Sequence, residues 1–175
     1  MGLAASLAAY YELGGITRFM SWGCRMRTAE QPQWPFVGTW RLVSFESRDE
    51  DGNVEYPFGR DVAGQLSYDA NGNMSALVAR ANVPPFASAD LQGGTDAEVR
   101  AAVEGFVGYF GTYSVDLAAG TVTHHVRGAS FPNWAGTEQV RYFRAEGRRL
   151  ALSSPVRIGG RPGTATLVWE RASSA

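Results

Sequence analysis

The two histidines of the chain, His124 and His125, are adjacent in a segment rich in β-branched residues. Neighbouring residues of a strand point to opposite faces, so this pair is unable to chelate one metal ion together. One inward-facing histidine can act as a general acid or base, because its charge changes near neutral pH. The alternative is a buried histidine that stabilises the fold through a hydrogen bond. We expect His124 to face inward, because Val122 and Val126 share its face.

Gln139 and Arg141 share one face of the next predicted strand. An inward Arg141 would be a buried cation that needs a partner. It could hold an enolate or a carboxylate, or instead pair at the surface with Glu138 or Glu170. The candidate catalytic residues are therefore His124, His125 and Arg141.

A long predicted loop before that strand contains Asn133 and Trp134. The Asn side chain offers donors and an acceptor, and the Trp offers an aromatic face and one N–H, so they could orient a carbonyl or stack an aromatic ligand. The alternative is a structural loop in which Pro132 fixes the turn. Tyr68 and Tyr113 are candidate hydroxyls of a cavity, although tyrosine is common in strands for packing alone.

The composition excludes several classes of chemistry. All 16 basic residues are arginine, so no lysine is present to form a Schiff base. A net charge of −1 gives no basic surplus for binding nucleic acid. The single cysteine, Cys24, excludes an intramolecular disulfide and a cysteine-rich metal site. With only two histidines, which face opposite ways, the number of ligands argues against a zinc or iron site. The sequence also has neither a phosphate loop nor a Gly-x-Ser-x-Gly elbow, and we expect no cofactor.

Short β-rich segments separated by turn signals position these residues. Eight such segments predict a mainly β fold, an eight-stranded antiparallel barrel just wide enough for one small ligand. Trp40, Leu42 and Ser44 are expected to share one face of the first strand. The predicted strands are 40–47, 64–68, 74–79, 112–116, 121–127, 137–144, 149–153 and 164–170.

One short helix interrupts the strands. Thr95 and Glu98 have the spacing of a capping box. Apolar residues follow at helical spacing, and glycines then weaken the pattern, so we expect the helix to end by about residue 110. The apolar stripe consists of Val99, Val103, Phe106 and Phe110.

Two segments differ in composition along the chain. We expect 35–172 to form the barrel domain and 1–34 to form a helical or loosely ordered extension. The extension has no basic segment before its apolar residues and is a poor signal peptide, which leaves open a true start at Met20 or Met26. No apolar run approaches the ~20 residues of a membrane span, so a cytoplasmic location is expected. A small hydrophobic molecule is the expected partner, without nucleic acid, and a homodimer is left open.

Several motifs resemble a known family. The run Gly38-Thr39-Trp40 opens the first strand, Tyr56-Pro57-Phe58-Gly59 follows it, Thr123-His124-His125-Val126 lies in the fifth, and Val168-Trp169-Glu170-Arg171 closes the chain. From Phe36 to Ala172 the sequence resembles the bacterial and fungal lipocalin-like domain family of the calycin group. The resemblance implies a small ligand-binding barrel. Some members come from natural-product pathways, but the fold does not specify the function.

The last strand refines the expected ligand. In fatty-acid-binding barrels, this strand points an Arg and a Tyr into the barrel, where they hold a carboxylate. By resemblance, Leu167 and Trp169 occupy the matching positions here. Apolar bulk in place of that clamp implies a flatter or less charged ligand. Haem-binding nitrobindin-type barrels also begin with Gly-x-Trp, but their glycine-rich continuation is absent here, so haem rests on fold analogy alone. The candidate ligand-binding residues are Tyr68, Tyr113, Asn133, Trp134, Gln139, Leu167 and Trp169.

Three functions are compatible with these residues. The first is a cofactor-independent cyclase or isomerase of a largely apolar, polyketide- or terpenoid-like substrate in natural-product metabolism. The second is a non-catalytic carrier of such a molecule. The third is an assembly module that packs through an exposed apolar patch. The convergence of histidine, arginine, asparagine and aromatic residues within 121–143 favours the enzyme.

Overall fold

The computed structural model of the chain describes residues 36–158 and 161–172. The expected N-terminal extension 1–34, with Cys24 and both alternative start positions, lies outside the described residues. The described elements are β1 (Gly38–Asp49), β2 (Val54–Glu55), β3 (Val62–Tyr68), β4 (Asn73–Arg80), α1 (Asp96–Glu104), β5 (Phe106–Asp116), β6 (Thr121–Ala129), a 3-10 turn (Pro132–Trp134), β7 (Glu138–Glu146), β8 (Arg149–Ile158) and β9 (Arg161–Arg171).

The strands form one closed antiparallel barrel. Each of β3 to β9 pairs with its neighbour in sequence, and β1 pairs with both β3 and β9. The β1–β9 pairing runs from Trp40 opposite Arg171 to Asp49 opposite Gly163 and removes any free edge. The two-residue β2 pairs only with Ser47 and Arg48, near the end of β1. The barrel proper therefore has eight strands, which confirms the predicted fold class.

Turn chemistry places the predicted hairpins. Between β3 and β4, one carboxylate oxygen of Asp69 accepts the backbone N–H groups of Asn71 and Asn73, each at 2.8 Å. Gly72 supplies the positive φ of +86° that this turn needs. Residues close in sequence thus determine the geometry of this turn.

The end of the helix differs from the prediction. The capping box is confirmed, with Thr95 as the N-cap and Glu98 reaching back to it, but α1 ends at Glu104 and not near residue 110. Phe106 and Phe110 belong to β5, where Phe106 lies opposite Ala79 of β4. A spacing of four residues keeps two side chains on one face in a helix and in a strand alike, so the apolar stripe did not distinguish the two.

The start of the barrel also departs from strict alternation. On β1, Leu42 lies opposite Trp169, whereas Ser44 lies opposite Val168, so Val43 is the extra residue of a bulge. The expected grouping of Ser44 with Trp40 and Leu42 is therefore wrong. Phe45 takes the inward position, and its ring centroid lies 5.4 Å from that of Phe58.

The two ends of the barrel differ. Short turns at 69–72, 117–120 and 147–148 lie at one end, and long connections at 50–61, 81–105 and 130–137 lie at the other. Trp40 plugs the first end: its indole N–H donates to the Phe36 carbonyl at 2.8 Å, and the Arg171 guanidinium carbon lies 4.4 Å from its ring centroid. The second end has the longer connections. In the described part of the chain, no helix is long and apolar enough to span a bilayer.

Candidate functional site

His124 occupies the centre of the barrel interior. It alternates with the inward residues Val122 and Val126 on β6 and is 0% exposed. Its Nε2 lies 2.7 Å from the Tyr68 hydroxyl oxygen, and its Nδ1 lies 2.9 Å from the Tyr109 hydroxyl oxygen. Both ring nitrogens of this inward histidine are therefore engaged by tyrosines.

The three rings form an uncharged network. Burial lowers the pKa of His124 to about 3, and the positive charge of Arg141 adds to the effect. Burial raises the pKa of Tyr68 and that of Tyr109, while the charge of Arg141 opposes both increases. A neutral imidazole has one N–H and one acceptor nitrogen. One tyrosine therefore donates to the ring and the other accepts from it.

Arg141 lies half-buried on the inward face of β7, directly across from Val122. Its guanidinium donates to the Val140 carbonyl at 3.0 Å and to the Gln139 side-chain oxygen at 3.4 Å. The guanidinium carbon lies 5.9 Å from the ring centroid of Trp134. The inward alternative for this arginine is the one that the structure shows.

The surface partners considered for Arg141 are engaged elsewhere. Glu138 lies 3.1 Å from Nδ1 of His125, and Glu170 pairs with Arg41 at 2.9 Å. Among the ion pairs of the described residues, none includes Arg141. Within the described residues, Arg141 is thus a half-buried cation without a carboxylate counter-charge.

Trp134 packs against this network at the end of the barrel that has the long connections. It ends the 3-10 turn, is half-buried, and packs edge-on against Tyr109 and Phe131, with centroid distances of 5.4 and 5.8 Å. Asn133 precedes it in the turn and is exposed. Of the two residues predicted in this loop, Trp134 therefore contacts the interior network, whereas the side chain of Asn133 is exposed to solvent.

Two further predicted residues direct their polar groups away from this network. His125 faces the outside, where its Nε2 lies 2.9 Å from the Ser114 hydroxyl and its Nδ1 contacts Glu138. Tyr113 stacks edge-on against Tyr68 at 4.8 Å, but its hydroxyl donates to the Asp69 carbonyl at 2.8 Å. Its hydroxyl therefore holds the β3–β4 turn.

Leu167 and Trp169 line the opposite wall. Leu167 is half-buried between Phe45 of β1 and Leu152 of β8. Trp169 is 2% exposed and lies between Leu42 and Leu150. The indole nitrogen of Trp169 is buried and has no hydrogen-bond partner among the described residues.

Comparison with known proteins identifies this barrel. A family model described as a lipocalin-like domain matches residues 37–172. The chain belongs to the lipocalin-like domain family. Over 106 residues, 56% of this chain and 96% of the relative, it is 34% identical to the 4'-hydroxy-3'-methoxypropiophenone carrier protein ppsC of Aspergillus oryzae. No solved structure matches the chain. The family and this relative support the binding of a small molecule.

Tyr109 is the residue of the lipocalin-like site that the sequence analysis missed. Its hydroxyl contacts His124, and its ring contacts Trp134. The predicted helix extended to about residue 110 and so hid an inward strand position. The signal that identifies it is the alternation of Tyr109, Gly111 and Tyr113 along β5.

The lipocalin-like interior is poor in metal ligands. Within residues 36–158 and 161–172, no group of three or more His, Cys, Asp or Glu side chains could hold a metal ion. What the site offers instead is aromatic surface, one guanidinium and a few neutral donors. These groups suit a compact, largely apolar molecule that carries oxygen acceptors.

Proposed function

We propose that this lipocalin-like barrel is a carrier of a small, largely apolar aromatic molecule that bears oxygen acceptors, such as an aryl ketone. The relative ppsC, which aligns over 96% of its length, is named as the carrier of such a ketone. The aromatic interior around Trp134, Tyr109 and Trp169 is suited to a flat ring.

The observation that carries this proposal is the double engagement of His124. Each ring nitrogen lies within 2.9 Å of a tyrosine hydroxyl. A general base needs a free nitrogen within hydrogen-bond reach of the proton that it removes. Both nitrogens of His124 are engaged and its pKa is about 3, so this residue is poorly suited to proton transfer. That favours a binding function over a catalytic one. The cyclase or isomerase therefore ranks second.

Arg141 and Gln139 are the polar groups that we assign to the ligand. Both are half-buried on the inward face of β7, whereas each ring nitrogen of His124 already lies next to a tyrosine hydroxyl. A guanidinium donating to a ketone or phenol oxygen forms a charge-assisted hydrogen bond, which is stronger than a neutral one. The ligand oxygen would add an acceptor to those that the Val140 carbonyl and the Gln139 side chain already give this arginine.

Titration with 4'-hydroxy-3'-methoxypropiophenone by calorimetry tests the proposal. We expect saturable one-to-one binding, and we expect Arg141→Met to raise Kd about 10-fold or more, because a hydrogen bond to a charged group contributes about 1.5–3 kcal/mol. Arg144→Met is the matched control, since Arg144 is exposed and outward on the same strand.

Two results would contradict the carrier. Absence of binding by the wild type would refute the proposed function. Chromatography of the ligand after incubation must return it unchanged, and a time-dependent product that His124→Gln abolishes would favour the cyclase or isomerase instead.

A further inference from the structure

The indole of Trp169 differs from its buried counterpart in one respect. Both Trp40 and Trp169 are about equally buried, at 1% and 2% exposure. The N–H of Trp40 donates to the Phe36 carbonyl at 2.8 Å, whereas the N–H of Trp169 has no acceptor among the described residues. Buried polar groups are usually hydrogen-bonded, so an unpaired donor inside a barrel needs an explanation.

The described residues around Trp169 provide no acceptor for its N–H. Its inward neighbours across the strands are Leu42 and Leu150, and Leu167 is the next inward residue on β9. All of these side chains are apolar, and the backbone groups around them are paired in the β1–β9 and β8–β9 ladders. The missing acceptor is therefore one that a molecule bound inside the barrel can supply.

We infer that the indole N–H of Trp169 is a ligand-binding donor that pairs with a neutral carbonyl oxygen of the ligand. This inference rests on the proposed function, because it assigns a contact within the same interior. An indole N–H is an uncharged donor with a single proton. It suits a ketone, whereas a carboxylate beside Leu42 and Leu150 would remain largely uncompensated after losing its hydration.

Two ligands that differ at the carbonyl test this contact. Propiophenone has the carbonyl oxygen, and propylbenzene has the same ring and chain length without it. We expect Trp169→Phe to lower the ratio of the affinities for propiophenone and propylbenzene about 5- to 10-fold, the size of one neutral hydrogen bond. Trp40→Phe is the matched control, since its N–H is bonded to the protein, and it should leave the ratio unchanged.

A second measurement observes the N–H directly and does not depend on the folding of a variant. In a ¹⁵N-labelled wild type, the indole resonance of Trp169 is assigned through its bonds to the backbone. We expect it to move downfield when propiophenone binds and to move much less when propylbenzene binds, because only the ketone accepts the proton.

The outcomes separate this inference from the proposed function. If both ligands bind but the ratio in Trp169→Phe equals that of the wild type, the carrier stands and the Trp169 contact is refuted. A resonance that responds equally to both ligands, as expected if a buried water satisfies the indole, also refutes it. If neither ligand binds the wild type, the proposed function fails and this contact fails with it.

Discussion

His124 and His125 are neighbours in sequence, yet the barrel gives them opposite properties. His124 is fully buried between two tyrosine hydroxyls and is held neutral by its surroundings. The side chain of His125 is 38% exposed and contacts Ser114 and Glu138 on the outside. One residue type at adjacent positions thus forms part of the core on one face and a solvated contact on the other. The face of the strand decides the chemistry.

Removal of the imidazole at His124 and at His125 in turn should give the largest difference in the free energy of unfolding between the two positions. His124→Ala leaves a cavity and two buried hydroxyls without partners, so we expect a loss of about 3–5 kcal/mol in the free energy of unfolding. His125→Ala removes an exposed contact and should change it by about 0.5 kcal/mol or less. Urea denaturation of both variants measures the difference. Similar losses at the two positions would refute the contrast.

The pH dependence of stability should separate the two histidines next. The folded pKa of His124, about 3, lies below its unfolded value of about 6.5. The unfolded chain therefore binds a proton first, and stability falls by about 1.4 kcal/mol per pH unit as the pH drops from about 6.5 towards 3. His124→Gln, which keeps a donor and an acceptor, should remove this component. The measurement is urea denaturation between pH 7 and pH 4, and an unchanged slope in the variant would contradict it.

Removing a hydroxyl from either tyrosine next to His124 should lower the free energy of unfolding by less than removing the imidazole does. Tyr68→Phe and Tyr109→Phe each remove one hydroxyl and leave part of the imidazole unpaired, so each should cost about 1–3 kcal/mol. Tyr142→Phe is the control, because Tyr142 is exposed on the outer face of β7 and should be nearly neutral. Thermal or urea unfolding compares the three variants. A loss at the exposed Tyr142 equal to that at Tyr68 would contradict this prediction, because Tyr142 has no hydroxyl contact with His124 to lose.

Local signals predicted most of the fold. The turn at 69–72, the capping box at Thr95 and Glu98, and the period of two in the strands all depend on residues close in sequence. The bulge at Val43 and the end of α1 at Glu104 did not follow from such signals. Both depend on which backbone groups find partners in a neighbouring strand, and that is a property of the assembled sheet.

The candidate site, like the fold, was predicted where local signals were sufficient. His124, Arg141, Tyr68, Trp134 and Gln139 came from residue type and strand alternation, and the structure brings them together around Tyr109. Asn133 and His125 satisfy the same patterns but lie on the outside. Residue type and spacing identify the polar side chains of a strand or loop, but they do not tell which of these the barrel encloses.

The sequence by itself determined that His124 and His125 face opposite sides, because the alternation of a strand is a local consequence of backbone geometry. Only the tertiary structure decided that His124 meets Tyr68, 56 residues earlier, and Tyr109, 15 residues earlier. It also decided that the indole N–H of Trp169 is enclosed and has no partner among the described residues, whereas that of Trp40 donates to the Phe36 carbonyl. These contacts depend on strand register and barrel closure, which position residues that are distant in sequence.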